Sequence, residues 1–204
     1  MNIFCVARNY ALHADEMKSS VPTEPVFFLK PDSALASDQE PFLLPDFSHD
    51  IQHEIEIVVR IEHRGKDIPL SQAASYYHSV ALGIDFTARD LQSRAKATGM
   101  PWMLSKGFDG SAVVSAFVPL AELQKEINGL HFSLLRNGTA VQTGNSGDMI
   151  FSVDRLITHL SHFVTLSPGD IIYTGTPAGV GSIGHGDHLD GILEGRTMLS
   201  LDIK

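Results

Sequence analysis

The chain has 204 residues, 43% hydrophobic and 19% charged, enough for a single domain over residues 1–204 with a substantial core. Its 15 Lys and Arg against 24 Asp and Glu give a formal charge of −9, which argues against a nucleic-acid partner, since that would ask for a basic face. No apolar run is long enough to span a membrane. The start lacks the regions of a signal peptide, and one cysteine cannot close an internal disulfide, so a cytoplasmic protein is expected.

Ile3 to Val6 reads as a short strand, with Cys5 as a small core residue rather than a nucleophile. Asn9 to Met17 reads as a short helix or loop that Asn9 can cap, with His13 and Glu16 three apart on one helical face. A polar, proline-punctuated connector leads to strand Val26 to Leu29, which runs into Lys30-Pro31. Ala36 to Pro45 reads as loop and edge strand. Ile51 to Glu62 is expected as one long strand. Leu70 to Tyr77 is expected as a helix, and Ser79 to Phe86 as an apolar strand ending at Asp85.

Thr87 is the expected cap of a helix running to about Thr98, where Gly99 and Pro101 stop it. Trp102 to Lys106 and Ala112 to Val118 are expected strands around a Gly-Phe-Asp-Gly turn. Asn137-Gly138 marks a hairpin between Leu130–Arg136 and 140–143. Ser152 to Phe163 has a helical stripe of Val153, Leu156, Ile157, Leu160 and Phe163. Strand Ile171 to Thr174, a glycine-rich segment over 175–181 and two strands over 187–193 and 197–203 complete the chain. Strands outnumber helices and do not alternate with them, so the fold class is α+β, mostly β.

Side chains two apart in a strand share a face, so Glu54 and Glu56 lie together. They are either a solvated edge or two oxygen ligands of a hard divalent cation. Asp85, at the end of an apolar strand, is costly there unless paired or bound to a cation, and would make a third ligand. His13 with Glu16 is either a general-base dyad or an exposed helical pair. Lys106, after an apolar piece, either stabilises an oxyanion or snorkels to the surface. The 175–181 segment lacks the ending of a P-loop; it is an ordinary turn or an anion cradle to which Thr176 adds a hydroxyl. His185 to His188 reads as a solvated loop despite its metal-like composition.

Taken together, Arg8-Asn9-Tyr10 with His13 and Glu16, Phe28-Leu29-Lys30-Pro31, His53-Glu54-Ile55-Glu56, Asp85-Phe86-Thr87-Ala88-Arg89-Asp90-Leu91-Gln92, Trp102 with Lys106-Gly107-Phe108-Asp109, and Gly175-Thr176-Pro177-Ala178-Gly179-Val180-Gly181 resemble the fumarylacetoacetate hydrolase family in this order. The resemblance covers essentially the whole chain and is to the short members that act on acylpyruvates or oxaloacetate, without the extra N-terminal domain of fumarylacetoacetase. Ala7, where glycine is common, and Gly107, where serine is frequent, depart from the pattern without removing a chemical group.

The resemblance implies a mixed β-sandwich roll with a few short helices, as a homodimer, acting on a small 2-oxo acid. It implies Mg²⁺ or Mn²⁺, with Ca²⁺ as a crystallographic occupant, held by Glu54, Glu56 and Asp85. It makes His13 and Glu16 the water-activating dyad, on a segment that orders with ligand. It puts Lys106 at the substrate, and Arg8, Arg89, Gln92 and Thr176 as binding contacts. The implied reaction is hydrolysis of a C–C bond in a 2,4-dioxo acid, through a metal-stabilised enolate, to pyruvate and a carboxylic acid. The alternative is decarboxylation of oxaloacetate, or isomerisation and decarboxylation of 2-hydroxyhepta-2,4-diene-1,7-dioate in aromatic catabolism. A non-catalytic metal-binding fold is a further alternative, against which the intact dyad and Lys106 count.

Overall fold

The computed structural model describes all residues, Met1–Lys204. Its centre is an eight-stranded mixed sheet. The strands run in the order Val26–Lys30, Ile3–Ala7, Ile171–Tyr173, Ile55–Arg60, Ser79–Asp85, Ala112–Val114 and Leu35–Ser37, with Val118–Pro119 paired to the far end of Ser79–Asp85. Two pairings are parallel, Ile3–Ala7 with Ile171–Tyr173 and Leu35–Ser37 with Ala112–Val114. A four-stranded antiparallel sheet of Thr139–Asn145, His131–Arg136, His188–Leu193 and Arg196–Asp202 packs across it. A small three-stranded sheet joins Gly181–Ser182, Ile51–His53 and Thr87–Ala88. The expected mostly-β, mixed-sheet fold with short helices is what forms.

Strand alternation explains the layers. Ile55, Ile57 and Val59 turn to the main core with Leu82 and Ile84, where they meet Phe132, Leu134, Leu189 and Leu201 of the second sheet. Val58 turns the other way, to a smaller cluster with Ile3, Cys5, Ala81 and Tyr173. Glu56 shares that parity. Cys5 is buried, as expected, and burial pushes its thiol up.

Several local expectations are corrected. The long strand is broken at Glu54, with Ile51–His53 in the small sheet and Ile55–Arg60 in the large one. Trp102 to Lys106 is not a strand: Met103–Lys106 is a single helical turn. A short apolar run carries no decisive period, and here packing against helix Arg89–Thr98 and strand Thr87–Ala88 decides. Leu70 to Tyr77 forms helix Leu70–Ala73 followed by a 3₁₀ turn. Ala112 to Val118 is split into Ala112–Val114 and Val118–Pro119.

Thr87 does not cap helix Arg89–Thr98; its hydroxyl donates to the Asp85 carbonyl at 3.3 Å. The Asp90 carboxylate instead accepts from Leu91 N–H, and Arg89 N–H donates to the Asp50 carbonyl. Nor does Asn9 cap helix Ala11–Glu16. It is fully buried, with its amide bonded to Phe151 N–H and to the carbonyls of Phe151 and Thr174. The helix over 153–163 buries its stripe except Phe163, which is exposed at its end.

Candidate metal and substrate site

The break at Glu54 and the end of strand Ser79–Asp85 are neighbours, because Ile55 pairs with Ile84 and Asp85 N–H donates to the Glu54 carbonyl at 2.9 Å. This brings Glu54, Glu56 and Asp85 together, each buried, with one oxygen from each within 4.8 Å of the others. The solvated-edge alternative for Glu54 and Glu56 is thereby excluded.

Buried carboxylates this close need positive charge. Lys106 is itself buried; its ammonium lies 2.7 Å from Glu54 Oε2 and 2.6 Å from Asp85 Oδ2. Lys30 approaches Asp85 Oδ1 at 2.7 Å, an ion-pair contact at an angle too poor for a hydrogen bond. It also donates to the Lys106 carbonyl and, at 2.9 Å, to both the carbonyl and the hydroxyl of Ser111. Arg89 reaches Glu54 Oε1 at 2.5 Å and is held by Gln52 and Gln92.

Burial alone would raise the pKa of Glu54, but the charges of Lys106 and Arg89 outweigh it and hold the carboxyl well below the usual range. Burial likewise works against the Lys106 ammonium, yet Asp85 and Glu54 keep its pKa above the ordinary value. Glu56 has no such cation. Burial first, then the charges of Asp85 and Glu54, push it well above the usual range, and its one hydrogen bond comes from Gly175 N–H at 2.6 Å. Gly175 has φ +103°, and a Cβ there would come within 2.7 Å of Asn9 Cβ, so glycine is required where the loop passes Asn9.

A cavity of about 210 Å³ opens above the carboxylates. His13, Arg8, Arg89, Gln92, Lys106 and Thr176 all line it. His13 Nδ1 lies 3.2 Å from Glu16 Oε2, and Glu16 in turn accepts from Gly179 N–H at 3.1 Å. The segment carrying them is a formed helix, Ala11–Glu16, entered through Arg8 in the left-handed region at φ +58°. Glu16 stands behind His13 rather than on the cavity wall.

Three residues with no role in the sequence reading belong to the site. Lys30 supports Asp85 from below, and its signal was a charge ending an apolar run. Lys96 lines the cavity with its ammonium 5.3 Å from the centre of the Trp102 ring. Gln142, from the second sheet, bonds to Thr176, and nothing in its local sequence marks it. Of the His185 to His188 segment, residues 185–187 are surface turn as expected, whereas His188 is not loop but opens strand His188–Leu193, paired with Asp202; none of them belongs to the cluster able to hold a metal.

The donor set fits a hard divalent cation. It offers three carboxylate oxygens within reach of one another, one of them from a buried glutamate without a cationic partner. No helix is long and apolar enough to cross a membrane.

The chain is 42% identical over 203 residues to a mitochondrial oxaloacetate tautomerase of Mus musculus, covering 100% of this chain and 91% of that protein. It is 43% identical over 182 residues to a mitochondrial oxaloacetate decarboxylase of Dictyostelium discoideum, covering 89% of this chain and 83% of the relative. Its fold superposes, with a TM-score of 0.93 and 36% identity, on a fumarylpyruvate hydrolase from Pseudomonas aeruginosa solved with Mn²⁺ and pyruvate, covering 100% and 88% of the two chains. Residues 2–201 match the family described as fumarylacetoacetate (FAA) hydrolase C-terminal, and the chain therefore belongs to the fumarylacetoacetate hydrolase family.

Proposed function

We propose that the protein is a divalent-cation-dependent hydrolase that cleaves a C–C bond in 2,4-dioxo acids to yield pyruvate and a carboxylic acid. One observation carries this proposal: a histidine–carboxylate dyad and three clustered buried carboxylates serve a single cavity. Glu54, Glu56 and Asp85 would hold the ion, Mg²⁺ or Mn²⁺. When bound, it supplies Lewis-acid polarisation of the 2-oxo acid and offsets the charge gained by its keto oxygen.

His13 does the proton work. Glu16 accepts from Nδ1–H and leaves Nε2 as the base that takes a proton from water. The water oxygen bonds to the distal carbonyl carbon. The C–C bond then breaks, its electron pair leaves on the pyruvyl carbon, and protonation of that carbon completes pyruvate. Lys106 has two N–H groups on carboxylates and a third for the developing oxyanion. Arg8, Arg89, Gln92 and Thr176 orient the acid in the cavity.

Decarboxylation or tautomerisation of oxaloacetate is a second reading with equal support, since two of the relatives carry those activities in their names. It uses the same site without an attacking water. A third possibility in the same class, isomerisation of dicarboxylic intermediates of aromatic catabolism, also uses that site. A panel of 2,4-dioxo acids and oxaloacetate, with Mg²⁺ or Mn²⁺ against an EDTA control, tests the choice. His13→Ala is expected to abolish hydrolysis while sparing part of the decarboxylation. Equal loss of both would remove the separate role of the dyad, and no turnover of any member would remove the catalytic proposal.

We also propose a homodimer acting in the cytoplasm. The edge strand Leu35–Ser37 lies beside the exposed Leu43 and Phe47, apolar surface that a second copy would cover. Sedimentation at micromolar concentration checks the dimer.

A further inference from the structure

Gln142 lies on strand Thr139–Asn145 of the second sheet, is 2% exposed, and crosses to the break in the first sheet. Its Oε1 accepts from Ile55 N–H at 3.1 Å, and its Nε2 donates to the Pro177 carbonyl at 2.9 Å. A backbone N–H only donates and a carbonyl only accepts, so the two contacts fix which end of the amide is oxygen. Two consequences follow from that orientation. His53 Nδ1, 2.9 Å from the same Oε1, must carry its proton, in keeping with a pKa that burial holds down. And Nε2–H donates to Thr176 Oγ1 at 2.8 Å, so the hydroxyl accepts there and cannot donate back.

The Thr176 hydroxyl proton has one neighbouring acceptor, the Pro177 carbonyl at 3.5 Å, which is beyond a normal O–H···O bond. Thr176 lines the cavity over the carboxylate cluster. We propose that Gln142 is a positioning residue, which makes the Thr176 hydroxyl an obligate donor towards an anionic oxygen of the bound 2-oxo acid. Thr176 then selects for an acceptor at that point, a carboxylate or keto oxygen, without any reorientation when ligand arrives. This rests on the proposed cavity function but not on which bond the enzyme breaks.

Pyruvate titrated calorimetrically into the Mn²⁺-loaded protein is the test. Gln142→Glu keeps an oxygen for Ile55 and His53 but replaces the donor, so the hydroxyl turns to the new carboxylate. Gln142→Leu removes the donor without adding charge. Each is expected to weaken pyruvate binding about tenfold, the scale of one hydrogen bond to a charged group. Thr176→Val is expected to do the same, and Thr176→Ser to restore it. In the Thr176→Val background the Gln142 substitutions should cost less than about twofold, whereas a residue that merely holds the fold would cost the same factor in both. Additive losses overturn the proposal. So does unaltered binding by Thr176→Val, which needs no Gln142 variant to fold. Failure of the unsubstituted protein to bind pyruvate would instead sink the proposed function itself, and this inference with it.

Discussion

Two acid–base clusters in this protein have nearly the same contact lengths and opposite surroundings. In the site, Lys106 lies 2.6 Å from Asp85 and both are buried. On the outer face of the second sheet, His188 lies 2.7 Å from Asp202 and 3.2 Å from Asp190, with Ser200 beside it, and its side chain is 43% exposed. Water screens the outer cluster and can replace any partner that is lost. The inner cluster has no such substitute. Glu54 and Asp85 each have cations beside them, and Glu56 is the one left without. Distance alone therefore says little about what a charge pair does, and burial decides whether breaking it is costly.

The largest effect should come from removing a buried cation. Lys30→Met leaves Asp85 with Lys106 alone and is expected to cost about 3–5 kcal/mol in denaturant unfolding. A loss below about 1 kcal/mol would erase the distinction between the clusters. Next is the titration of Glu56. Its folded pKa stands above its ordinary value near 4.5, so at this carboxyl the metal-free folded state binds more proton than the unfolded chain. Stability of the metal-free protein should fall as pH rises from 4.5 through the raised value. Divalent cation at about a hundred times its dissociation constant should restore about 2.7 kcal/mol and flatten that slope. Unfolding curves across pH with EDTA and with Mn²⁺ check both.

The smallest effect belongs to the surface. The Asp202 hydrogen bond first, and the Asp190 charge after it, raise the pKa of His188. That contribution is complete below about pH 6.5, the unfolded value, and is lost as pH rises through the folded one. Asp202→Asn should cost under about 1 kcal/mol at pH 6, nothing at pH 9, and less still in high salt. A cost independent of pH and salt would place His188 among the buried kind.

Much of this was legible along the chain. Short apolar runs found most strands, Asn137-Gly138 found its hairpin, and the stripe over 153–163 found the longest helix, because each depends on neighbours in sequence. The carboxylates at 54, 56 and 85 were legible because a charge in an apolar strand demands a reason. The break at Glu54 was not. It exists because two sheets claim the two halves of the segment, and because Gln142, 87 positions away, takes the Ile55 N–H that the ladder leaves free. The helical turn at Met103–Lys106 and the bridging amide of Asn9 were hidden for the same reason.

The order of residue types thus determined which chemistry this protein can hold, since polarity and periodicity are local properties. Only the tertiary structure decided which charges neutralise which and which way the Thr176 hydroxyl points, because those depend on groups that meet solely when the sheets close over one another and exclude water.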